Sequence, residues 1–339
     1  ALHVERDRYD EILLDHAREA GVQVFEEVTV QGADLHEVGE PVDVRYRCSG
    51  SDTTERINCR FVVDASGQSA VLARQLGTRV VDEDFRFMSV WGYFEDSKYI
   101  SQGGQVHPFE DLRSIPPTTF VSSVDAVGDW GWMWHIPLRE STSVGLIVPQ
   151  AQIRDSKGTA ALEEFFLQTC SKIPYLDHLL EHARYVDGSL HVIRDYSYRT
   201  TQVAGPGLFL IGDAAAFVDP IFSVGVVLGM YGASIATWAI DRSFQKPETT
   251  ARNQDLFSSQ LLGRLEVSRS LALPRYTSGE RASEMARGAV LFESDLEQEL
   301  MYVVSTVTTR NENVQELIER KDGQRVSSDR YRTLEEITL

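Results

Sequence analysis

The spacing of hydrophobic and polar residues divides the chain into helical and extended stretches. Tyr9, Ile12 and Leu13 recur with a helical period, and Gly21 is suited to end that helix because glycine readily adopts a left-handed conformation. Further along, β-branched residues alternate with polar ones, which favours strands. The pattern predicts, in chain order, a helix over 8–20, strands over 22–30, 42–47 and 56–64, and a short helix over 71–76.

A sheet-like middle and a mostly helical end follow. Residues 85–148 are rich in aromatic and β-branched side chains and contain few helical runs, which predicts an antiparallel sheet. The mixture of elements predicts an α/β (α+β) fold. The remaining predicted elements are a helix over 159–180 interrupted at Pro174, strands over 192–200 and 208–211, a helix from Ser223, and helices beyond Arg242 with a break at Pro274.

The composition is that of an acidic globular protein. The 339 residues include 33 Lys and Arg against 51 Asp and Glu, a net charge of −18. A surface this acidic repels phosphates, which opposes nucleic-acid binding. Cys48, Cys59 and Cys170 are odd in number and form no C-x-x-C pattern, so we expect reduced, buried thiols in a cytoplasmic protein.

A stretch of 20 residues without charge, 221–240, allows a membrane interpretation. Gly225, Gly229 and Ala233 repeat every fourth position, as in helices that pair within membranes. Serine, glycine and threonine dilute the hydrophobicity of the stretch, and a glycine face equally lets a helix lie close to a sheet or a ligand. We therefore expect a protein without membrane spans.

Three of the five tryptophans lie within five residues, in a run that reads W-x-W-x-W-x-I-P from Trp130 to Pro137. Side chains alternate along a strand, so Trp130, Trp132 and Trp134 would share one face and His135 would point away from it. Pro137 would end the strand because proline lacks a ladder donor. This face is either ordinary aromatic core or part of a functional site.

A second pattern follows the apolar strand over 208–211. A buried strand that ends in Gly-Asp lets the backbone approach a ligand and leaves one carboxylate at its tip. The start of the next helix directs free N–H groups and the positive end of its dipole towards an anion or an anionic cofactor. A plain βα unit explains the strand and the helix, but not the spacing of Gly212-Asp213, Asp219-Pro220 and Ser223-Val224-Gly225.

These motifs resemble the flavin-contacting segments of FAD monooxygenases of the p-hydroxybenzoate hydroxylase type. The W-x-W-x-I-P part of the tryptophan run resembles the flavin-dependent halogenase branch of that fold. Residues 4–14 are similar to its V-x-R-x-x-F/Y-D-x-x-L-L segment, and residues 61–67 to its strand end h-h-h-D-A-S/T-G. The resemblance covers residues 2–240 and is most specific at W-x-W-x-I-P.

The resemblance implies an FAD/NAD(P)-binding Rossmann-like domain with an inserted antiparallel-sheet substrate domain and C-terminal helices. The implied ranges are 1–84 for part of the FAD-binding domain, 85–190 for the substrate domain, 191–245 for the rest of the FAD-binding domain, and 246–339 for a C-terminal helical region.

The chemistry implied is that of an oxidoreductase. Such an enzyme takes reduced FAD from a flavin reductase, and uses O₂ with chloride or bromide to halogenate an electron-rich or carrier-tethered substrate in natural-product biosynthesis. Trp132 and Trp134 would keep the substrate away from the flavin, and the amides of Val224 and Gly225 would bind halide. The residues expected to contact FAD are Arg6, Ala65, Ser66, Gly67, Gly212, Asp213, Pro220, Ser223 and Gly225.

Two of these residues have competing interpretations. Asp213 could instead be a helix-capping carboxylate, and Arg6 a surface charge at a helix start. His107 and His135 invite a general-base role, but neither lies beside a nucleophile or a metal-ligand pattern, so we expect structural roles for both.

The chain also departs from the family pattern. It contains no G-x-G-x-x-G phosphate loop, and we expect both that loop and the family's active-site lysine in a preceding segment of the parent protein. Phe222 stands where tryptophan halogenases carry Glu, which argues against free tryptophan as the substrate. The five lysines, none in the matching context, are Lys98, Lys157, Lys172, Lys246 and Lys321.

Two other functions stay open at this point. One is an FAD-dependent monooxygenase, hydroxylase or reductase of the same fold. The other is a non-catalytic flavoprotein-like module that binds a carrier protein, which the missing phosphate loop favours.

Overall fold

The computed structural model describes residues 3–37, 39–83, 85–101, 104–124, 131–153 and 158–272. Trp130 and everything predicted beyond Ala272, including the break at Pro274, lie outside the described residues. Within those ranges the chain forms six α-helices, which are α1 (Arg6–Glu19), α2 (Val71–Gln75), α3 (Thr159–Cys170), α4 (Pro174–Leu180), α5 (Gly225–Gln245) and α6 (Thr250–Ala272).

The same ranges contain seventeen strands, several of them only two residues long. They are β1 (Val28–Asp34), β2 (Val42–Cys48), β3 (Glu55–Cys59), β4 (Val62–Asp64), β5 (Arg79–Val81), β6 (Phe87–Glu95), β7 (Tyr99–Ile100), β8 (Val106–His107), β9 (Phe120–Ser123), β10 (Trp132–Pro137), β11 (Thr142–Pro149), β12 (Arg184–Tyr185), β13 (His191–Arg194), β14 (Tyr198–Thr200), β15 (Ala204–Gly205), β16 (Leu208–Leu210) and β17 (Ala216–Phe217).

The described chain forms two compact units, each built from two separate stretches. The first, here called the sheet unit, contains residues 3–25 and 86–195. The second, here called the strand-end unit, contains residues 26–85 and 196–272. Helix α1 belongs to the same unit as the large sheet. The four domain ranges inferred from the sequence stay predictions.

The sheet unit is built on a six-stranded antiparallel sheet in the order β12-β6-β11-β10-β9, with β13 also paired to β6. This sheet agrees with the one predicted over 85–148. Side chains alternate along its strands, so one face of the sheet carries the core and the other carries Trp132 and Trp134. The core face packs on α3 and α4 through Met88, Val90, Met133, Val144, Leu146, Phe166 and Leu176.

The strand-end unit contains smaller sheets. β4 and β16 pair in parallel, and β15 adds to β16 in the antiparallel sense. A meander of β1, β2 and β3 and a sheet in the order β17-β14-β5 complete the strands of this unit. The mixture of helix and sheet in the described residues agrees with the predicted α/β (α+β) class.

The first helix ends as its sequence predicts. Gly21 has a φ of 89°, and its N–H donates to the carbonyl of Arg18. The N–H of Val22 donates to the carbonyl of Ala17 at 3.0 Å, which completes a Schellman cap. The predicted strand over 22–30 starts only at Val28, because the residues after the cap have no ladder partner in the described chain.

Two other predicted strands are wrong in the same way. The stretch 56–64 breaks after Cys59, because β3 pairs with β2 whereas β4 pairs with β16. The stretch 192–200 breaks at Asp195, whose φ of 50° is incompatible with an extended strand. Both breaks separate strands that belong to different sheets, and alternation along the sequence does not reveal a change of sheet.

The glycines of α5 pack against a strand end. A Cβ placed on Gly232 would lie 3.3 Å from the Cβ of Ile211, and one on Gly212 would lie 3.6 Å from the Cα of Gly229. Missing side chains thus let the helix lie almost directly on the turn after β16. Among the helices of the described residues, none is long and apolar enough to be a candidate membrane span.

The cysteines differ from expectation in their burial. All three are unpaired, but only Cys170 is buried, while Cys48 and Cys59 are half-buried. Burial raises the pKa of the Cys170 thiol to about 12, so this thiol stays protonated. The expectation of three buried thiols is therefore wrong for two of them, which lie on the thin β1-β2-β3 meander.

Gly232→Val tests the close contact between α5 and β16. The added Cβ and its two methyl groups would crowd Ile211, so we expect a loss of about 1–3 kcal/mol in the free energy of unfolding. Ala233→Val places the same β-branched side chain on the exposed neighbour and should change stability by less than about 0.5 kcal/mol. Urea unfolding of both variants measures the difference, and equal midpoints would contradict the packing described.

Candidate functional site

Two parallel strands end at the same edge of their sheet and bring two of the sequence motifs together. Asp64 is opposite Leu210 in the ladder. One residue further, the N–H of Ile211 donates to the carbonyl of Asp64 at 3.0 Å. The loop over 65–67 therefore lies beside the turn Gly212–Ala214. Open α/β sheets bind their ligands at this carboxyl edge.

The carboxylate of Asp64 holds the first loop in place. One of its oxygens accepts from the N–H of Ser66 at 2.9 Å, and the other accepts from the N–H of Leu72 at 2.8 Å. The hydroxyl of Ser66 in turn accepts from the N–H of Val71. Gly67 has a φ of 63°, and a Cβ placed on it would meet no atom within 4 Å. This backbone is open to a ligand.

The Gly-Asp turn after β16 has the conformation that its glycine allows. Gly212 has a φ of 54°, in the region that side chains disfavour. The carbonyl of Asp213 accepts from the hydroxyl of Tyr198 at 2.6 Å. Burial, together with the nearby Asp213 carboxylate, raises the pKa of Tyr198, so its hydroxyl remains a donor.

Asp219 orders the segment that leads into α5. It is 5% exposed, and its two oxygens accept from the N–H of Ile221 at 2.9 Å and from the hydroxyl of Tyr196 at 3.0 Å. Pro220 is the first residue of the short 3₁₀ turn that Asp219 caps. Ser223 ends that turn with a φ of 53°.

Asp64 and Asp219 are not among the residues predicted to form the site. Both lie inside the sequence motifs described above, and both precede a turn or helix start, which is the usual place for a capping carboxylate. That position was the available signal. Its meaning depends on which N–H groups the fold brings within reach, and this is known only from the structure.

The start of α5 has unused donors. Val224 precedes the helix, is 4% exposed and offers no side-chain oxygen as a cap. In the hydrogen bonds formed among the described residues, the N–H groups of Val224 and Gly225 have no acceptor. A cavity of about 20 Å³, large enough for one water or one small ion, is lined by Gly212, Asp213, Asp219, Val224 and Gly225, with apolar residues around them.

A larger cavity of about 310 Å³ shares Ala216, Phe217, Val218 and Leu265 with the small one. Arg269 on α6 closes one side through two hydrogen bonds to Asp82, at 2.6 and 3.1 Å. No sequence pattern predicted this cavity, because its walls come from separate segments. Its other lining residues are Tyr198, Arg199, Thr200, Thr201, Leu262 and Glu266.

In the sheet unit, the tryptophan motif forms the strand that its sequence predicts. β10 ends at Pro137, and Trp132 and Trp134 lie on one face with ring centroids 5.7 Å apart. Trp132 is 3% exposed and Trp134 is half-buried. The indole N–H of Trp134 donates to the hydroxyl of Ser143 at 3.1 Å.

The two histidines pair with serines. His135 lies on the opposite face of β10, is fully buried and is 2.9 Å from the hydroxyl of Ser97 through Nε2. Burial lowers the pKa of His135 to about 4, so the ring is neutral. His107 on β8 is 2.9 Å from the hydroxyl of Ser101. The burial of His135 agrees with the structural role expected for it.

Arg6 is in the sheet unit, whereas the other predicted FAD contacts belong to the strand-end unit. It is the first residue of α1, and its guanidinium donates to both carboxylate oxygens of Asp10, at 3.0 and 2.9 Å. Such a pair one helical turn apart is what the surface-charge interpretation describes. Its contact with FAD stays a prediction.

Comparison with known proteins gives a consistent result. The tryptophan halogenase family model matches residues 1–328. A tryptophan 2-halogenase of Chondromyces crocatus is 33% identical over 241 residues, which cover 70% of this chain and 43% of that protein. A 1H-pyrrole-2-carbonyl-(peptidyl-carrier protein) chlorinase of Pseudomonas fluorescens is 34% identical over 238 residues, 69% of this chain and 49% of that protein.

Solved structures agree. The flavin-dependent halogenase CmlS has a TM-score of 0.70 and 29% identity, and the match covers 95% of this chain and 52% of that one. The myxobacterial chondrochloren halogenase CndH has a TM-score of 0.68 and 28% identity over 97% of this chain and 69% of that one. These structures confirm the predicted FAD-binding α/β fold. The chain spans about half the length of the curated relatives it matches.

The buried His135 should make folding sensitive to acid. The unfolded state binds a proton near pH 6.5 and the folded state only near pH 4, so stability falls as the pH drops through this interval. Between about pH 7 and about pH 5 we expect a loss of about 2 kcal/mol attributable to this residue.

His135→Gln removes the titrating group and should remove that part of the pH dependence. The exposed His182, with 74% of its side chain accessible, provides the control His182→Gln, which should keep the wild-type slope. Urea unfolding at both pH values measures the effect. A wild-type slope in the His135 variant would show that another group is responsible.

Proposed function

Because the chain belongs to the tryptophan halogenase family, we propose that its parent protein is a flavin-dependent halogenase. It would use reduced FAD, O₂ and chloride or bromide to halogenate an electron-rich acceptor. The observation that carries this proposal is the small cavity that joins the Gly-Asp strand end to the unused N–H groups of α5. Both halves of this arrangement were expected from the sequence.

The residues of the strand-end unit fit a flavin cofactor. The two loops at the carboxyl edge expose backbone with positive φ at Gly67 and Gly212, where a ligand can approach closely. Bound there, reduced FAD with O₂ would supply the oxidising power that converts halide into a halogenating electrophile. The proposed contacts in this unit are Ala65, Ser66, Gly67, Gly212, Asp213, Pro220, Ser223 and Gly225, and Arg6 of the sheet unit is proposed as a further contact.

The start of α5 is the proposed halide site. The N–H groups of Val224 and Gly225 lie at the start of a helix of 21 residues, and the helix dipole adds a partial positive charge at this end. The carboxylates of Asp213 and Asp219 line the same cavity and oppose an anion. The two hydrogen bonds that Asp219 accepts reduce this opposition, because they stabilise its charge locally.

Trp132 and Trp134 would act by exclusion. Their two indoles form a continuous apolar surface. Each indole has one N–H group, and that of Trp134 already donates to the hydroxyl of Ser143. Such a surface would keep water out and would separate the acceptor from the flavin. An acceptor kept apart would react with the oxidised halogen and escape hydroxylation.

The acceptor is proposed to be electron-rich or tethered to a carrier protein, and the reduced flavin to come from a flavin reductase. Phe222 is buried and apolar at the position where the tryptophan-specific branch has a carboxylate. The name of the Pseudomonas fluorescens relative specifies a pyrrole carried on a peptidyl-carrier protein. Both points favour phenol, pyrrole or carrier-bound substrates over free tryptophan.

The direct test supplies the full-length parent protein with FAD, a flavin reductase, O₂, chloride and a phenol or pyrrole probe. We expect retained FAD after gel filtration and a chlorinated product by mass spectrometry. A hydroxylated product in the presence of chloride would instead support the monooxygenase alternative. Absence of both bound FAD and product would support the non-catalytic carrier-binding module.

The halide site is tested at Gly225, the first residue of α5. Gly225→Pro removes one donor N–H at the first residue of the helix. Val224 has φ −89° and ψ −6°, a conformation that a following proline disfavours, so the effect counts only if the variant keeps its fold. Losing one hydrogen bond to an anion should raise the chloride concentration for half-maximal turnover about tenfold or more at saturating FAD. Gly225→Ala keeps the N–H, and its Cβ would lie 3.6 Å from the Phe217 ring, an ordinary contact.

The alanine variant therefore serves as the matched control and should keep the chloride dependence of the wild-type protein. Thermal unfolding of both variants separates a local effect from loss of the fold. Equal chloride dependence in both would place the halide elsewhere.

A further inference from the structure

The indole of Trp134 lies flat on a glycine of the neighbouring strand. β10 and β11 pair so that Trp134 is directly opposite Gly145. A Cβ placed on Gly145 would overlap the indole carbons Cζ2, Cε2 and Cη2 of Trp134, far inside van der Waals contact. Only glycine at this position leaves the ring where it is.

The same strand holds the indole at a second point. Ser143 lies two residues before Gly145, on the same face of β11. Its hydroxyl accepts the indole N–H of Trp134 at 3.1 Å. The glycine under the benzene part of the ring lets the indole lie close to β11. The acceptor at the indole nitrogen fixes the rotation of the ring.

The row of residues across the sheet shows what the glycine makes room for. Gly145 lies opposite Trp134 on one side and opposite Trp91 of β6 on the other, and Trp91 stacks on His191 with ring centroids 5.0 Å apart. The indole of Trp134 fills the space that a side chain at position 145 would occupy, so the glycine leaves no gap in the packing.

We propose that Ser143 and Gly145 are positioning residues for Trp134. They hold its indole against β11 and keep it tilted 50° to the ring of Trp132, which sets the thickness of the apolar surface that both indoles form. The catalytic consequence rests on the proposed function, whereas the positioning itself does not. A larger residue at 145, or loss of the hydroxyl at 143, moves the indole off the sheet.

The neighbouring indoles supply a readout that needs no activity. Two rings at a centroid distance of 5.7 Å couple their electronic transitions, and the resulting circular-dichroism couplet depends on the angle between them. Trp134→Phe identifies the couplet by removing it. Gly145→Ala and Ser143→Ala should each change its amplitude, whereas Ser143→Thr keeps the hydroxyl and should keep the couplet. Ser141→Ala, at the residue directly before β11, is the matched control.

The catalytic readout is the amount of halogenated product formed per reduced flavin consumed, with hydrogen peroxide as the uncoupled product. Loss of the indole hydrogen bond in Ser143→Ala should lower this ratio about fivefold. Gly145→Ala should lower it as well, but should add no further loss in a Trp134→Ala background, where the overlap no longer exists. Ser143→Thr should restore the ratio.

An unchanged couplet in Gly145→Ala and Ser143→Ala would overturn the positioning role. A changed couplet with an unchanged product ratio would overturn its catalytic consequence. Ser143→Ala adds no atoms, so it decides the question if Gly145→Ala does not fold. If the wild-type protein forms no halogenated product, the proposed function fails, and the couplet still decides the positioning by itself.

Discussion

The closeness of α5 to the turn after β16 is the constraint on which the candidate site depends. Gly212, Gly229 and Gly232 lack the side chains that would hold the helix away from the strand end. The contact is therefore made by backbone against backbone, and it fixes the helix start relative to the Gly-Asp turn. Every proposed donor at the start of α5 owes its place to this packing, and the cavity there is small for the same reason.

The loops around the site have carboxylates as hydrogen-bond acceptors for their N–H groups, whereas the start of α5 has no capping oxygen. Asp64 and Asp219 accept hydrogen bonds from N–H groups of the loops beside them, so those N–H groups have acceptors without a ligand. The helix start has an apolar Val224 in place of a capping oxygen. Its donors are consequently available to an external anion, which a serine or aspartate cap would have displaced.

Local patterns in the sequence were sufficient to predict local structure. The cap at Gly21, the antiparallel sheet, the strand of Trp132 and Trp134 and the break at Pro174 all follow from periodicity and from the geometry of glycine and proline. The strands over 56–64 and 192–200 could not be predicted correctly, because their breaks are set by partners far away in the chain. The capping by Asp64 and the support of Trp134 by Gly145 likewise depend on contacts between distant segments, which no single segment encodes.

The interleaving of the two units has a consequence for synthesis on the ribosome. Residues 26–85 leave the ribosome before the sheet unit is complete, yet their partners in the strand-end unit begin only at residue 196. The edge of β4 that pairs with β16 therefore stays unpaired until β16 has been made. Contacts between such distant segments form slowly, and unpaired edges invite aggregation. The yield of folded protein in a cell is thus expected to depend on chaperones and on the rate of translation through the sheet unit.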